Sequence, residues 1–253
     1  MLMTVQGVPL YEFIRKEAGV TGPYIVPVPF LNALNGGVHA GNMMAFQEFM
    51  IAPVGATSFA EAMRMAAEVY HRLKQLIAEK FGSAGKLGLI VARRLESANM
   101  LKATGIGDED GFAPPISMPE QALDLLETAV AGYEYPNKVK YSIDPASSEF
   151  FGEKSYNLGL KQTTPNVASP AELADFNRRL ISQYPIVLLE DPFAEDDWGN
   201  WCEFKKTCQI ELVGDDLQVT NVARVREAYN KKACNSMLLK LNQIGTVSEA
   251  IEA

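Results

Sequence analysis

Cysteine is scarce in this chain. The three present, Cys202, Cys208 and Cys234, are odd in number and match no zinc-site spacing, which excludes a disulfide scaffold or zinc module and fits a reducing, cytoplasmic compartment. No window approaches the about eighteen consecutive apolar residues of a membrane span. The opening stretch MLMTVQGVPLYEF lacks a basic region followed by an apolar run and a small-residue cleavage site, so neither a span nor a secretory leader is expected. Basic excess is missing as well: 23 Lys and Arg stand against 31 Asp and Glu, a net charge of −8, which argues against nucleic acid as the main partner. What is there is ordinary globular material, 47% apolar and 21% charged, enough to bury a core. No low-complexity linker divides the chain, and it reads as a single unit.

Helix starts are written clearly. Ser58 to Glu61 forms a capping box ahead of Phe59, Met63, Ala66, Tyr70, Leu73 and Ile77 at helical spacing, with Gly82 as the stop. Ser117 to Glu120 and Ser169 to Glu172 repeat the box, each with a proline near the first helical position, before runs to about Ala131 and Gln183. A further helix is expected from Asn221 to about Lys231. Six strands are expected between these: Tyr24–Phe30, Phe46–Ala52, Val139–Asp144, Ile186–Glu190, Ile210–Asp215 and Ser236–Leu241. From Val139 onward strands alternate with capped helices, the pattern of parallel βα units whose strands are buried on both faces.

In four successive units a charged residue, Asp144, Glu190, Asp215 or Lys240, falls at or beside the C-terminal end of the strand. In a βα-barrel those ends face one mouth, where active sites are built. Three carboxylates with no thiolate or histidine among them suit a hard cation, Mg²⁺ rather than Zn²⁺. A nearby cation would disfavour the ammonium form of Lys240 and make it a candidate general base. A metal beside a base points to proton abstraction next to a carboxylate, with the metal neutralising the enediolate as it forms. Taken singly, each of these residues has a plainer reading as a helix cap or a solvated charge. Trp198 and Trp201 read as packing anchors, and His71 carries no functional expectation.

The wording of the segments is more specific. FLNALNGGVHAGN, QEFMIAPVGA, GDEDGFAP, DPASSEFF, LLEDPFAEDDWGNW, LVGDDLQVTN and MLLKLNQIGTVSEAIEA, in that order from about Gly7 to Ala253, closely resemble the enolases, glycolytic dehydratases of 2-phosphoglycerate. The resemblance implies an α/β fold: an enolase-type TIM-like barrel, incomplete here at about six of eight strands, with the N-terminal α+β domain largely missing. It divides the chain into residues 1–20, a remnant of that domain around a helix at Val8 to Ala18, and residues 21–253, a partial barrel with an atypical insertion at 83–106. It implies Mg²⁺ on Asp144, Glu190 and Asp215, with Glu190 and Asp215 also facing substrate. It implies Lys240 as the base at C2, Glu109 as the acid assisting departure of hydroxide from C3, Glu48 beside it, and His39 as a substrate contact on a mobile loop carrying Gly36, Gly37 and Gly41. Asp110 stands where the family motif carries glycine, adding a carboxylate beside Glu109 in a turn that needs positive φ.

The implied partners are a small molecule, 2-phosphoglycerate or phosphoenolpyruvate, and a second subunit, since the family forms homodimers. Two other readings stay open. One is another superfamily member acting on a different carboxylate, which the QEFMI, GDE and NQIGT wording disfavours. The other is a non-catalytic, enolase-derived binding or interaction protein, which an open barrel lacking the family's phosphate-holding segment favours.

Overall fold

A computed structural model of the chain describes residues 7–82, 106, 110–133, 135 and 137–253. The expected insertion at 83–106 lies outside the described residues but for Ile106, and Glu109 lies outside them too. Among the described residues the central sheet has six strands: β1 (Leu31–Asn35), β2 (Glu48–Ala52), β3 (Lys140–Asp144), β7 (Ile186–Glu190), β8 (Glu211–Gly214) and β9 (Ser236–Met237), in the order β1-β2-β3-β7-β8-β9. β2 runs antiparallel to β1 and β3, and β3, β7, β8 and β9 are parallel, as the strand–helix alternation predicted. Among the described residues the sheet does not close into a barrel. A small antiparallel sheet of β4 (Phe151–Gly152), β5 (Ser155–Asn157) and β6 (Val167–Ala168), which the sequence did not announce, follows β3.

The α-helices among the described residues are α1 (Leu10–Glu17), α2 (Phe59–Phe81), α3 (Pro119–Ala131), α4 (Pro170–Gln183), α5 (Trp198–Thr207), α6 (Val222–Lys231) and two short ones, α7 (Leu241–Ile244) and α8 (Val247–Glu252). Ser58 and Ser169 cap α2 and α4 by accepting from the amides of Glu61 and Glu172, and Asn221 caps α6 by accepting from Ala223 and Arg224. At α3 the expected cap moves by one residue. Met118 occupies the N-cap, and the Gln121 side chain reaches back to the amides of Ser117 and Met118. Glutamine at the third helical position does this as well as Glu120 would have.

Tyr24–Phe30 is not a strand. Pro23, Pro27 and Pro29 remove ladder donors along it, so pairing begins only at Leu31, once the prolines end. Ile25 is left 84% exposed. The last expected strand is shortened to Ser236–Met237, because Lys240 turns the chain into α7. The apolar stripe of α2 is also rotated from the expected one. Ala62, Met65, Ala66, Val69, Leu73 and Ile77 face the core, where α3 packs on the helix, and Phe59 and Met63 are exposed.

The core continues through Phe49, Ile51, Tyr141, Ile143 and Leu189 of the sheet to an aromatic group, Tyr156, Phe193, Trp201 and Phe204, beneath the loop after β7. Trp201 is a packing anchor, as expected. It is fully buried and its indole N–H donates to Ala194 O at 3.1 Å, pinning the loop that follows Glu190. Trp201→Ala is expected to remove about 3–5 kcal/mol of stability through the cavity and the unpaired carbonyl. Urea unfolding checks this, and a loss under about 1 kcal/mol would show the indole is not the anchor.

Candidate active site

Strand direction decides which residues meet. β3, β7 and β8 are parallel, so Asp144, Glu190 and the residues after Gly214 end at one rim. β2 is antiparallel to β3 and pairs Glu48 with Asp144, so its N-terminal end lies at that rim too. β1 pairs Asn35 with Glu48, which delivers the following Gly37–His39 turn to the same side. Asp144, Glu190 and Asp215 are buried there, and Asp191 with them. Ligand-capable oxygens of Asp144, Glu190 and Asp191 lie within 4.8 Å of one another, as do those of Asp191, Asp215 and Asp216.

Lys240 arrives from beyond β9, and its Nζ donates to Asp215 Oδ2 at 2.5 Å. Gln243 Nε2 donates to Asp215 Oδ1 at 2.6 Å, so both oxygens of that carboxylate face donors from one segment. Thr220 organises the segment: its hydroxyl accepts from Lys240 N at 2.8 Å and donates to Gln243 Oε1 at 2.9 Å. A family model described as enolase, C-terminal TIM barrel domain, matches residues 23–253. The chain belongs to that family.

The observed donor set can be tested against a divalent cation. The donors are hard oxygens only, buried, and carry more negative charge than the one ammonium beside them offsets. Burial, then repulsion from Asp215 and Asp216, pushes the Asp144 carboxyl up to about 7, against the pull of the Ala146 amide that donates to it. Burial, then repulsion from Asp144, Asp191, Asp215 and Glu48, pushes Glu190 up to about 10. Burial, with Asp144 and Asp216 next, holds Asp191 well above the usual carboxylate range. Such a cluster takes up positive charge, as protons or as a cation, and the residues fit a divalent ion of the Mg²⁺ kind.

His39 sits on the turn before β2, with Gln47 Nε2 at 2.7 Å from its Nε2. The turn is gripped from outside by Lys161 of the β5–β6 connection, whose Nζ donates to Gly37 O at 2.5 Å and Ala40 O at 2.6 Å. Gly36 is required for a different reason from the expected loop mobility. A Cβ there would lie 2.2 Å from Phe46 O. Asp110 takes the left-handed conformation at φ 65°, so the turn survives the loss of glycine, and its carbonyl accepts from the Tyr70 hydroxyl at 2.7 Å. The next residue is clamped: Gly111 N donates to the buried Asn35 Oδ1 at 2.8 Å.

Reading the sequence alone missed Asp191, Asp216, Thr220, Gln243 and Asn35. Asp191 directly follows Glu190, and strand alternation would send it to the opposite face. The strand ends at Glu190, however, and Asp191 turns at φ 33° back into the rim.

The raised carboxyls set a pH dependence with a definite sign. In the folded chain Asp144 and Glu190 keep protons that the unfolded chain has released, so stability falls as pH rises, from 3.8 to about 7 for Asp144 and from 4.5 to about 10 for Glu190. Calorimetry of the chain in chelator is expected to show Tm falling from about pH 4 to about pH 9, with Mg²⁺ raising Tm most at the alkaline end. A flat profile in chelator would mean the folded chain holds no such protons.

Proposed function

We propose that the chain performs the enolase reaction, reversible dehydration of 2-phosphoglycerate to phosphoenolpyruvate in glycolysis, with Mg²⁺ as its cofactor and the cytoplasm as its compartment. The observation that carries this reading is the juxtaposition of Lys240 Nζ, 2.5 Å from Asp215 Oδ2, with a buried group of carboxylates at one rim. A cation held by Asp144, Glu190 and Asp215 would supply positive charge against the charge that builds on a substrate carboxylate.

The remaining work falls to side chains. Lys240, once deprotonated to the neutral amine, accepts the C2 proton, while Thr220 and Gln243 hold the segment that carries it. Glu109 gives a proton to the hydroxide leaving C3, with Glu48 beside it, and His39 contacts the substrate from its clamped turn. A site of this kind also needs to exclude water, and the segment after Glu109 is tied alongside β1, where Gly111 N donates to Asn35 Oδ1.

A second reading has its own support. The six-stranded sheet does not close, which favours a non-catalytic binding protein with a retained site. One assay separates the two: the 253-residue chain is mixed with 2-phosphoglycerate and Mg²⁺, and formation of phosphoenolpyruvate is followed by ultraviolet absorbance. Turnover is expected, and Lys240→Ala is expected to lower kcat by about 10²–10⁴-fold while leaving Mg²⁺ binding by calorimetry intact. Turnover near wild type in that variant would remove Lys240 as the base. Mg²⁺ binding without turnover in the wild-type chain would favour the binding protein.

A further inference from the structure

Asp191 sits among the carboxylates as if it were one more metal ligand, yet its hydrogen bonds assign it another task. Its Oδ1 accepts from the amide of Asp215 at 3.2 Å and its Oδ2 from the amide of Asp216 at 2.7 Å. Its own amide donates to Val213 O at 3.1 Å, and its carbonyl accepts from Ser147 N at 3.2 Å. One residue, 1% exposed, thus uses both side-chain oxygens and both backbone groups. The bonds reach the loop that follows Asp144 at the end of β3 and the loop after β8, which carries Asp215, while Asp191 is itself joined to Glu190. To make them the backbone adopts φ 33°, where a non-glycine residue is strained, and the four bonds hold it there.

We propose that Asp191 is a positioning residue rather than a ligand, a buried cross-tie that sets the spacing of Asp144, Glu190 and Asp215 before any cation arrives. The proposal rests on the metal reading above for its purpose, and on hydrogen bonding alone for its mechanism. The donors on Asp191 are backbone amides fixed by the fold, whereas those on Asp215 are the side chains of Lys240 and Gln243, which can turn away to admit a cation. A cation that displaced either amide would loosen the loop after β8, and with it one of the ligands. The same bonds explain why a residue with so little room is an aspartate: asparagine of the same size would turn an NH₂ group toward one of the two amides, donor against donor.

The test is amide hydrogen exchange at residues 215 and 216, read by mass spectrometry with fragmentation or by NMR on the full chain in chelator. Both amides are expected to be protected in the wild type, and to exchange at least about tenfold faster in Asp191→Asn. Addition of Mg²⁺ to the wild type is expected to keep or increase the protection. Unprotected amides in the wild type, equal rates in the variant, or protection that falls when Mg²⁺ is added would each overturn the proposal, the last by making Asp191 a ligand. Should the variant fail to fold, the two wild-type measurements decide the matter.

A second readout separates positioning from general support of the fold. Mn²⁺ titration followed by electron paramagnetic resonance is expected to show affinity lowered at least about fivefold in Asp191→Asn, with the bound-ion spectrum unchanged in form. Affinity equal to wild type would reduce Asp191 to a structural role and overturn the proposal. A wild-type chain that binds no Mn²⁺ would refute the metal reading and the stated purpose of Asp191, while the exchange rates would still report whether the cross-tie exists.

Discussion

Like charges gathered out of water are the constraint around which the rim is organised. Asp144, Glu190 and Asp191 hold oxygens within 4.8 Å of one another in a place where solvent barely reaches, and burial, then repulsion from neighbouring carboxylates, raises the proton affinity of all three. Nothing about that arrangement is favourable by itself. It persists because the parallel strands β3, β7 and β8 are fixed by a core of Tyr141, Ile143, Leu189 and Leu212, which leaves the strand ends no freedom to move apart. The backbone amides of Ala146, Asp215 and Asp216 point into the cluster, and Lys240 brings an ammonium. Packing supplies the restraint, and oriented donors make it bearable.

The order of strands follows from the same requirement. An antiparallel β2 between β1 and β3 places the beginning of one strand beside the ends of two others, and so lets Glu48, Asn35 and the turn with His39 share the rim with Asp144. An all-parallel arrangement would send the start of β2 to the opposite end of the sheet. Two consecutive antiparallel pairings are therefore part of how the site is populated, and the parallel strands that follow bring the carboxylates.

Much of this was legible in the sequence, for reasons that can be named. Ser58, Ser169 and Asn221 are local signals acting within four residues, and local signals survive folding. Ile186–Glu190 could be bounded to the residue, since an uninterrupted apolar run ending in a charge admits few registers. Asp144, Glu190, Asp215 and Lys240 were recognisable as strand-end residues, and the fold brings them to one rim. Illegible were features set by partners distant in the chain. The role of Asn35 depends on Gly111, that of Asp191 on Asp215 and Asp216, and that of Thr220 on Gln243, and no window of sequence contains both members. Tyr24–Phe30 misled because its β-branched and aromatic residues favour a strand while its prolines forbid the ladder, and the lost donors outweigh the propensity.

Lys161 gives the loop around His39 a mechanical character. Its ammonium holds two carbonyls, of Gly37 and Ala40, on either side of the histidine, at distances typical of strong charge-assisted bonds. Burial disfavours the charge on this amine, and the two carbonyls stand in for the water it has lost. A displacement of the histidine turn must either carry the β5–β6 connection along as a single body or strand a cation half out of water. The small sheet thereby acts as ballast, making the turn heavier and slower than its three glycines, Gly36, Gly37 and Gly41, would otherwise allow.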